Sequence, residues 1–405
     1  MSHGAAPALT RDQVTLPRSA AWRALPLAAA GLGLLALVLH WTLGRGAAAA
    51  RQAQFSYLVA LLYWLSLALG ALFFVIVQFA TKAGWSVVVR RLAEHAMMTL
   101  PLLALLFVPV LGGVHELFHW THHEAVQHDA LLAAKAPYLN LPFFVARALL
   151  YFVVWSALAW VFYRRSVGQD RDGAPQATAR LQRLSGPAII LFALTVTFAA
   201  FDWLMSLDPH WYSTMFGVYY FAGCVVAIFA FLALVGLVLR RAGVLAEVIT
   251  IEHYHDLGKL LFAFTVFWTY IAFSQFMLIW YGNLPEETIW YARRLVGSWR
   301  TATLVLGLGH FVVPFFYLMT RATKRRPAAL LPAAIWLLAV HYLDLYWLVM
   351  PVLHPASAQP SWLDLTAFVG IGGCFVALFA RLLRRHALVP LRDPRLAESR
   401  AFENY

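Results

Sequence analysis

The polar residues between two long apolar runs are the first candidates for chemistry in this sequence. The segment 201–223 reads FDWLMSLDPHWYSTMFGVYYFAG and contains Asp202, Asp208 and His210. A charge at the end of a lipid-soluble helix is unfavourable unless it has a partner or a task. The proline after Asp208 disfavours helix in the residue before it, so the segment predicts a tight hairpin between two helices. Its polar groups either exchange protons or tie the two helix ends together.

Ionisable and hydroxyl side chains recur in or beside other apolar runs. Such groups exchange protons when burial and neighbouring charges move their pKa values toward neutral. Glu94 and His95 stand near the start of one run, either as the mouth of a proton path or as an ordinary acidic helix start. The candidates for a proton path are Glu94, His95, Asp202, Asp256, Lys259, Tyr270, Ser274, His341 and Asp344.

Three of these candidates lie close to one stripe of a helix. Lys259, Tyr270 and Ser274 are separated by spacings near whole helical turns. A polar stripe through a membrane helix faces protein or water rather than lipid. The stripe therefore indicates a proton relay or, equally well, interhelical hydrogen bonds that hold a bundle together.

One arginine lies inside an apolar run. Arg147 belongs to the run 141–163 and needs an anion if it is buried there. Glu116 and Asp202 are carboxylates expected at a similar depth. We expect Arg147 to pair with one of them.

Two histidines lie near the middle of neighbouring apolar runs. A rise of 1.5 Å per residue places His310 roughly 15 Å, and His341 roughly 12 Å, from the outer ends of their helices. Facing histidines at matched depth could ligate one b-type haem. The interpretation we favour is a proton or quinone site that uses His341 and Asp344.

The longest outer loop contains a motif known from zinc proteases. His115 and His119 match HExxH, in which Glu116 would act as general base. An intramembrane protease would need a third ligand from a later run, and no LDG-like segment is present. The favoured interpretation is an interfacial helix that faces partner subunits, with the zinc protease as an alternative.

The two cysteines exclude some redox chemistry for this chain. Cys224 and Cys374 are far apart, and the sequence has no CxxC or CxxCH motif. The chain therefore lacks the thiolates for an iron–sulfur cluster and the attachment motif for haem c.

The composition is that of an integral membrane protein. Hydrophobic residues make up 62% of the 405 residues and charged residues 12%. Runs long enough to cross a bilayer as helices recur along the whole sequence. The ten predicted spans are 24–43, 55–81, 92–113, 141–163, 185–205, 213–239, 257–281, 301–320, 327–349 and 363–380.

The positive charges follow the order of the loops. Of the 31 Lys and Arg residues, 24 lie in the two tails and the loops on the same side, whereas six lie in the opposite loops. By the positive-inside rule, both termini are expected in the cytoplasm. Because the positive charges follow the loops instead of forming one patch, the net charge of +12 does not indicate a nucleic-acid-binding protein. No cleavable signal peptide is evident, and the first helix is expected to remain as an anchor.

The polar segment 166–184 divides the predicted helices. It contains proline and glycine and is long enough to separate a first set of four helices from a second set.

Two strings carry a resemblance to a known family. They are FDWLMSLDPHWYSTMFGVYYFAG and HDLGKLLFAFTVFWTYIAFSQFMLIWYGNLPEET. Both resemble the ActF-type second large membrane subunit of alternative complex III, the bacterial quinol:cytochrome c oxidoreductase. That family is related to the NrfD-type membrane subunits of polysulfide reductases. The resemblance extends from about the second to the ninth predicted helix.

The resemblance implies an all-α fold of two four-helix bundles with one peripheral helix at each end. Residues 1–23 would be a cytoplasmic tail, and 24–54 the peripheral first helix and its loop. The bundles would comprise 55–205 and 206–349, and residues 350–405 the peripheral last helix with a cytoplasmic tail.

The resemblance also implies a function in the electron-transport chain of the bacterial inner membrane. The subunit would carry no redox centre of its own, and its partners would be a sister NrfD-like subunit, an iron–sulfur subunit and c-type cytochromes with haem c. Proton translocation and the binding of a quinone such as menaquinone are expected, with His210 and His310 as quinone-binding candidates. A structural anchor for the peripheral subunits is the alternative.

Overall fold

Ten long helices dominate the computed structural model, which describes residue 9 and residues 12–404. Each of the ten is long and apolar enough to cross a membrane, which confirms the prediction of an all-helical, multi-pass membrane protein. In chain order, α1 to α10 are Ala20–Leu43, Ala49–Ala80, Val87–Gly112, Leu141–Asp172, Pro175–Leu207, Phe216–Arg241, Ile251–Gly282, Gly297–Met319, Pro327–Val352 and Trp362–Arg385.

Polar side chains begin several of these helices. The Asn140 side chain accepts a hydrogen bond from the backbone of Phe143 at 3.0 Å at the start of α4. Ser361 and Asp364 form a reciprocal capping box at the start of α10. These caps satisfy backbone N–H groups that have no partner inside a helix.

The polar segment 166–184 is not the long loop that the sequence predicts. Helix α4 continues to Asp172 and α5 begins at Pro175. Gly173 separates them with a φ of 67°, a left-handed conformation that ends the helix. The polar residues on either side of this turn still form helix because helices extend beyond the hydrocarbon into the aqueous boundary.

The most buried helices are α2 and α6, which pack against each other. Gly70 allows this approach, because a Cβ atom there would lie 2.2 Å from the carbonyl oxygen of Cys224. Helices α3, α4 and α5 contact α2, whereas α7 and α9 contact α6 and α8 contacts α7 and α9. Helix α1 packs mainly on α10, and α10 also contacts α2.

Both ends of the described chain lie on one side of the helical layer, here called the terminal side. The backbone N–H of Leu388, just after α10, donates to the carbonyl of Val14, just before α1, at 2.7 Å. The segment 386–404 then crosses the terminal ends of several helices. Its Ser399 hydroxyl donates to the Trp85 carbonyl at 2.7 Å, and its backbone carbonyl contacts His253 at 2.9 Å.

Candidate functional site

Asp202 is the partner of the buried arginine. Arg147 donates to both carboxylate oxygens of Asp202, at 2.8 and 2.9 Å, and Tyr151 adds a third bond at 2.8 Å. The other expected partner, Glu116, is exposed in the preceding loop. Asp202 is fully buried, and Arg147 compensates its charge. This ion pair connects α4 with α5.

Glu94 is also compensated. Its carboxylate contacts Arg90 at 3.1 Å and Arg91 at 2.8 Å, and it accepts a bond from Ser166 at 2.9 Å. His95 is fully buried beside them, and its ring nitrogens have no hydrogen-bond partner among the described residues. Glu94 and His95 therefore lie inside a cluster of ion pairs on the terminal side.

The predicted stripe of α7 does not face the interior as a unit. Asp256 pairs with Lys259 at the terminal end of the helix. Tyr270 is 65% exposed on the outside of the bundle, and the Ser274 hydroxyl donates to a backbone carbonyl of its own helix at 3.1 Å. The inward face instead carries Trp268 and Ile271, among others. Asp256 and the three residues of this stripe therefore do not form a continuous internal path.

The HExxH motif does not form a zinc-binding helix face. The helix that contains it is only Val114–Leu117, and Phe118 is extended with φ −116° and ψ 112°. His115 and His119 therefore are not one turn apart on a single helix, which is the geometry that the zinc protease requires.

His210 belongs to an exposed contact between two loops. Its Nε2 atom lies 2.5 Å from Oδ2 of Asp129. This hydrogen bond lowers the pKa of Asp129, helped by a backbone donor from Leu132. The contact connects the loop before α4 with the loop before α6, and His210 does not line the cavity described below.

Another buried carboxylate, Asp344 in α9, has no cationic partner within ion-pair distance among the described residues. The Tyr219 hydroxyl donates to its Oδ1 atom at 2.5 Å, and the Trp268 indole donates to its Oδ2 atom at 3.1 Å. Both donors are neutral and come from other helices, α6 and α7. An isolated carboxylate is costly in an apolar interior, so the two neutral donors are what balances Asp344 in this structure.

His341 and His310 lie on either side of this carboxylate network. His341 lies one turn before Asp344, and its Nε2 atom is 2.8 Å from the Ser66 hydroxyl of α2. His310 occupies a π-helical turn in α8, Leu308–Val312, and stacks on Trp268 with ring centroids 3.7 Å apart. Trp268 therefore connects the carboxylate to the His310 ring.

A glycine leaves the space between His341 and Asp344 open. A Cβ atom on Gly223 of α6 would lie 2.8 Å from Cε1 of His341 and 3.9 Å from Oδ2 of Asp344. Any larger residue at this position must push the imidazole away.

An apolar cavity of about 370 Å³ adjoins the carboxylate network. Tyr219 and Trp268, the two donors to Asp344, form part of its wall. The rest is built mainly by α7, α8 and the short helix Pro285–Arg293 with the residues that follow it. Phe273 in the wall is 58% exposed, so the cavity communicates with the surroundings of the bundle.

Arg294 supplies the cationic side of this cavity. Its guanidinium donates to the carbonyls of Trp290, Trp347 and Leu348 at 2.8 to 3.1 Å and lies 3.3 Å from the centroid of the Trp290 ring. Burial lowers the pKa of Arg294 to about 9, which still leaves it positively charged at neutral pH. The Arg294 side chain thus donates to carbonyls near the C-terminal end of α9 and lines the cavity.

This cavity fits a flat, largely apolar ring with polar edges. Such sites combine aromatic walls with a few placed polar groups. The donors in this wall are Tyr219 and Trp268, whose single polar hydrogens bond Asp344, and Arg294, whose guanidinium has further N–H groups beyond its three carbonyl bonds. Sequence reasoning found Asp344, His341 and His310 but missed these three donors. Arg294 was the detectable one, because it stands between two tryptophans, Trp290 and Trp299, on the side whose loops hold only six of the 31 Lys and Arg residues.

The comparisons with known proteins leave the family open. No protein-family model matches the sequence, and no curated protein is significantly similar to it.

Proposed function

We propose that this chain is an integral membrane subunit of a quinol:cytochrome c oxidoreductase of the alternative complex III type. It takes part in proton translocation and binds a quinone ring in the cavity beside Asp344. Iron–sulfur and haem c centres belong to partner subunits, and the membrane is the bacterial inner membrane with both termini in the cytoplasm. The two sequence strings quoted above support the family.

The observation that carries the proposal is the neutral hydrogen-bond network around Asp344. Asp202 and Glu94 are held by arginines, so a proton would have to displace a strong ion pair there. Asp344 has only the Tyr219 hydroxyl and the Trp268 indole as donors, both of which stabilise the charged form without a cation. A carboxyl group held in this way can take up and release one proton in response to the occupant of the cavity.

The helix arrangement also supports the proposal. The contacts of α3 to α5 with α2, of α7 and α9 with α6, and of α8 with α7 and α9 support two four-helix groups. The pairing of α1 with α10 outside these groups agrees with peripheral first and last helices.

Asp344→Asn in the reconstituted complex tests the proposal. Asparagine keeps the shape and accepts a hydrogen bond, but it cannot exchange a proton. We expect electron transfer to persist with a reduced number of protons translocated per electron. Asp364→Asn is the matched control, because Asp364 is a buried capping residue of α10 that does not line the cavity. An unchanged proton-to-electron ratio in Asp344→Asn would remove this residue from the proton path.

A structural anchor for peripheral redox subunits is the second candidate. The ion pairs of Asp202 and Glu94 favour it, because they commit two of the predicted proton carriers to holding helices together. Full turnover and full proton translocation after neutralisation of Asp344, His341 and His310 together would establish the anchor and exclude the proton path.

A further inference from the structure

A basic cavity lies where the first and last membrane helices meet on the terminal side. It encloses about 710 Å³ between the start of α1 and the end of α10. Its lining includes the guanidinium groups of Arg18, Arg23, Arg384 and Arg385 and the imidazole of His386. Because α1 begins at Ala20 and α10 ends at Arg385, the cavity lies at the level where the spans leave the membrane.

A second cavity continues from the first on the other side of α10. It encloses about 470 Å³ and shares Arg385 and His386 with the first cavity. Arg164 and Arg171 of α4 add two more guanidiniums to its wall. The two cavities thus form one basic site that is divided by the end of α10.

The charge of this site is not compensated within the described part of the chain. Arg18, Arg23, Arg384 and Arg385 are exposed, and none of the ion pairs of the described residues involves them. Burial lowers the pKa of His386, and the neighbouring guanidiniums of Arg91, Arg385 and Arg171 lower it further. Elsewhere on the terminal side, by contrast, arginines such as Arg90 and Arg325 are paired with carboxylates.

Apolar surface runs from this site into the membrane-spanning layer. On α1, Leu27 is 78% exposed and Leu34 59% exposed. The second cavity is walled partly by Met98, Trp160 and Leu382, with Trp160 49% exposed. A ligand that satisfies both features carries phosphate-like charge at one end and hydrocarbon at the other.

We propose that the two cavities bind one anionic phospholipid with two phosphate groups, a lipid of the cardiolipin class. One phosphate occupies the cavity between α1 and α10, and the other occupies the cavity between α10 and α4. The short glycerol bridge of such a lipid spans Arg385 and His386, which both cavities share. Its acyl chains lie along the exposed leucines of α1 and beside Trp160. This site is independent of the function proposed for the cavity near Asp344.

The proposal is tested with the full-length, delipidated protein in detergent, by native mass spectrometry with added cardiolipin. Each surface arginine that contacts an anionic lipid contributes about a fivefold change in affinity. The variant Arg23→Gln/Arg384→Gln/Arg385→Gln should therefore bind cardiolipin roughly 100-fold more weakly. The same three positions changed to lysine should retain most of the binding, which shows that the glutamine variant lost charge rather than fold.

Matched controls separate this site from general attraction to the basic side. Arg183→Gln/Arg241→Gln/Arg321→Gln removes three exposed arginines of the terminal side that do not line either cavity. This control should bind cardiolipin like the unmodified protein, and an equal loss would overturn the proposal. Phosphatidylglycerol should bind at least about tenfold more weakly than cardiolipin, because it offers one phosphate. Equal affinity for phosphatidylglycerol refutes the two-phosphate site, and competition by millimolar inorganic phosphate alone refutes a lipid ligand.

Discussion

Replacement of Arg147 with methionine tests the buried ion pair between α4 and α5. Arg147 donates two bonds to Asp202, at 2.8 and 2.9 Å, and a third to the Tyr138 carbonyl at 2.9 Å. Methionine retains much of the apolar stem but removes the charge that faces Asp202. The carboxylate, which is fully buried, then keeps Tyr151 as its donor.

The expected loss in the free energy of unfolding is about 3–4 kcal/mol at pH 7. Removing one partner of a buried pair typically costs about 3–5 kcal/mol. The upper limit is the cost of protonating the carboxylate instead, which is about 4 kcal/mol at pH 7 for a group with the reference pKa of about 3.9.

Protonation of the carboxyl group would also make the free energy of unfolding of the variant depend on pH. The folded Arg147→Met protein with a neutral carboxyl holds a proton that the unfolded chain lacks above about pH 4. Its stability should therefore rise by about 1.4 kcal/mol for each unit by which the pH falls between 7 and 5. The unmodified protein, which keeps the ion pair, should not show this gain.

Equilibrium unfolding in mixed detergent micelles at pH 5 and pH 7 provides the measurement. Arg164→Met is the control, since Arg164 is exposed and contacts the Trp160 ring rather than a carboxylate, so its loss should stay below about 1 kcal/mol. The double variant Arg147→Met/Asp202→Asn should recover most of the stability. A loss below about 1 kcal/mol at pH 7, or an equal loss at both pH values, would refute the reasoning.

Two further substitutions probe other contacts. Gly223→Ala should lower the free energy of unfolding by about 1–3 kcal/mol and reduce proton translocation, because the new methyl group displaces the His341 ring. Gly186→Ala, where a Cβ atom meets nothing within 4 Å, is its control, and equal effects in both would contradict the close approach. Asp393→Asn should lose about 1.5–3 kcal/mol and expose the C-terminal segment to proteases, because its carboxylate is buried and 2.6 Å from a guanidinium. The exposed Glu398→Gln should change stability by less than about 1 kcal/mol, and comparable proteolysis of both would refute the role of Asp393.

The number and order of the membrane helices could be predicted from the sequence. Apolar runs of sufficient length are a property of the chain itself, since a bilayer-spanning helix requires them wherever it packs. Helix ends were less predictable. Helix α4, for example, continues through polar residues to Asp172. Hydropathy predicts where the chain leaves the hydrocarbon layer, and that position differs from the end of the helix.

The inward faces of the helices could not be predicted in the same way. In a membrane both lipid and protein neighbours are apolar, so periodicity carries little information about which side is buried. Tyr270 and Trp268 stand two residues apart in α7, yet the tyrosine is 65% exposed and the tryptophan 3% exposed. The predicted stripe was based on polar side chains such as the Tyr270 hydroxyl, whereas the side chain that packs in the interior is the Trp268 indole.

The sequence by itself determined that this is a ten-span, all-helical membrane protein, and it identified nearly every ionisable residue inside the spans. Only the tertiary structure decided how those residues are used. It pairs Asp202 with Arg147 and leaves Asp344 with Tyr219 and Trp268. The reason is that a charge inside a membrane protein acts according to the partner that another helix places beside it, and that partner is distant in the sequence.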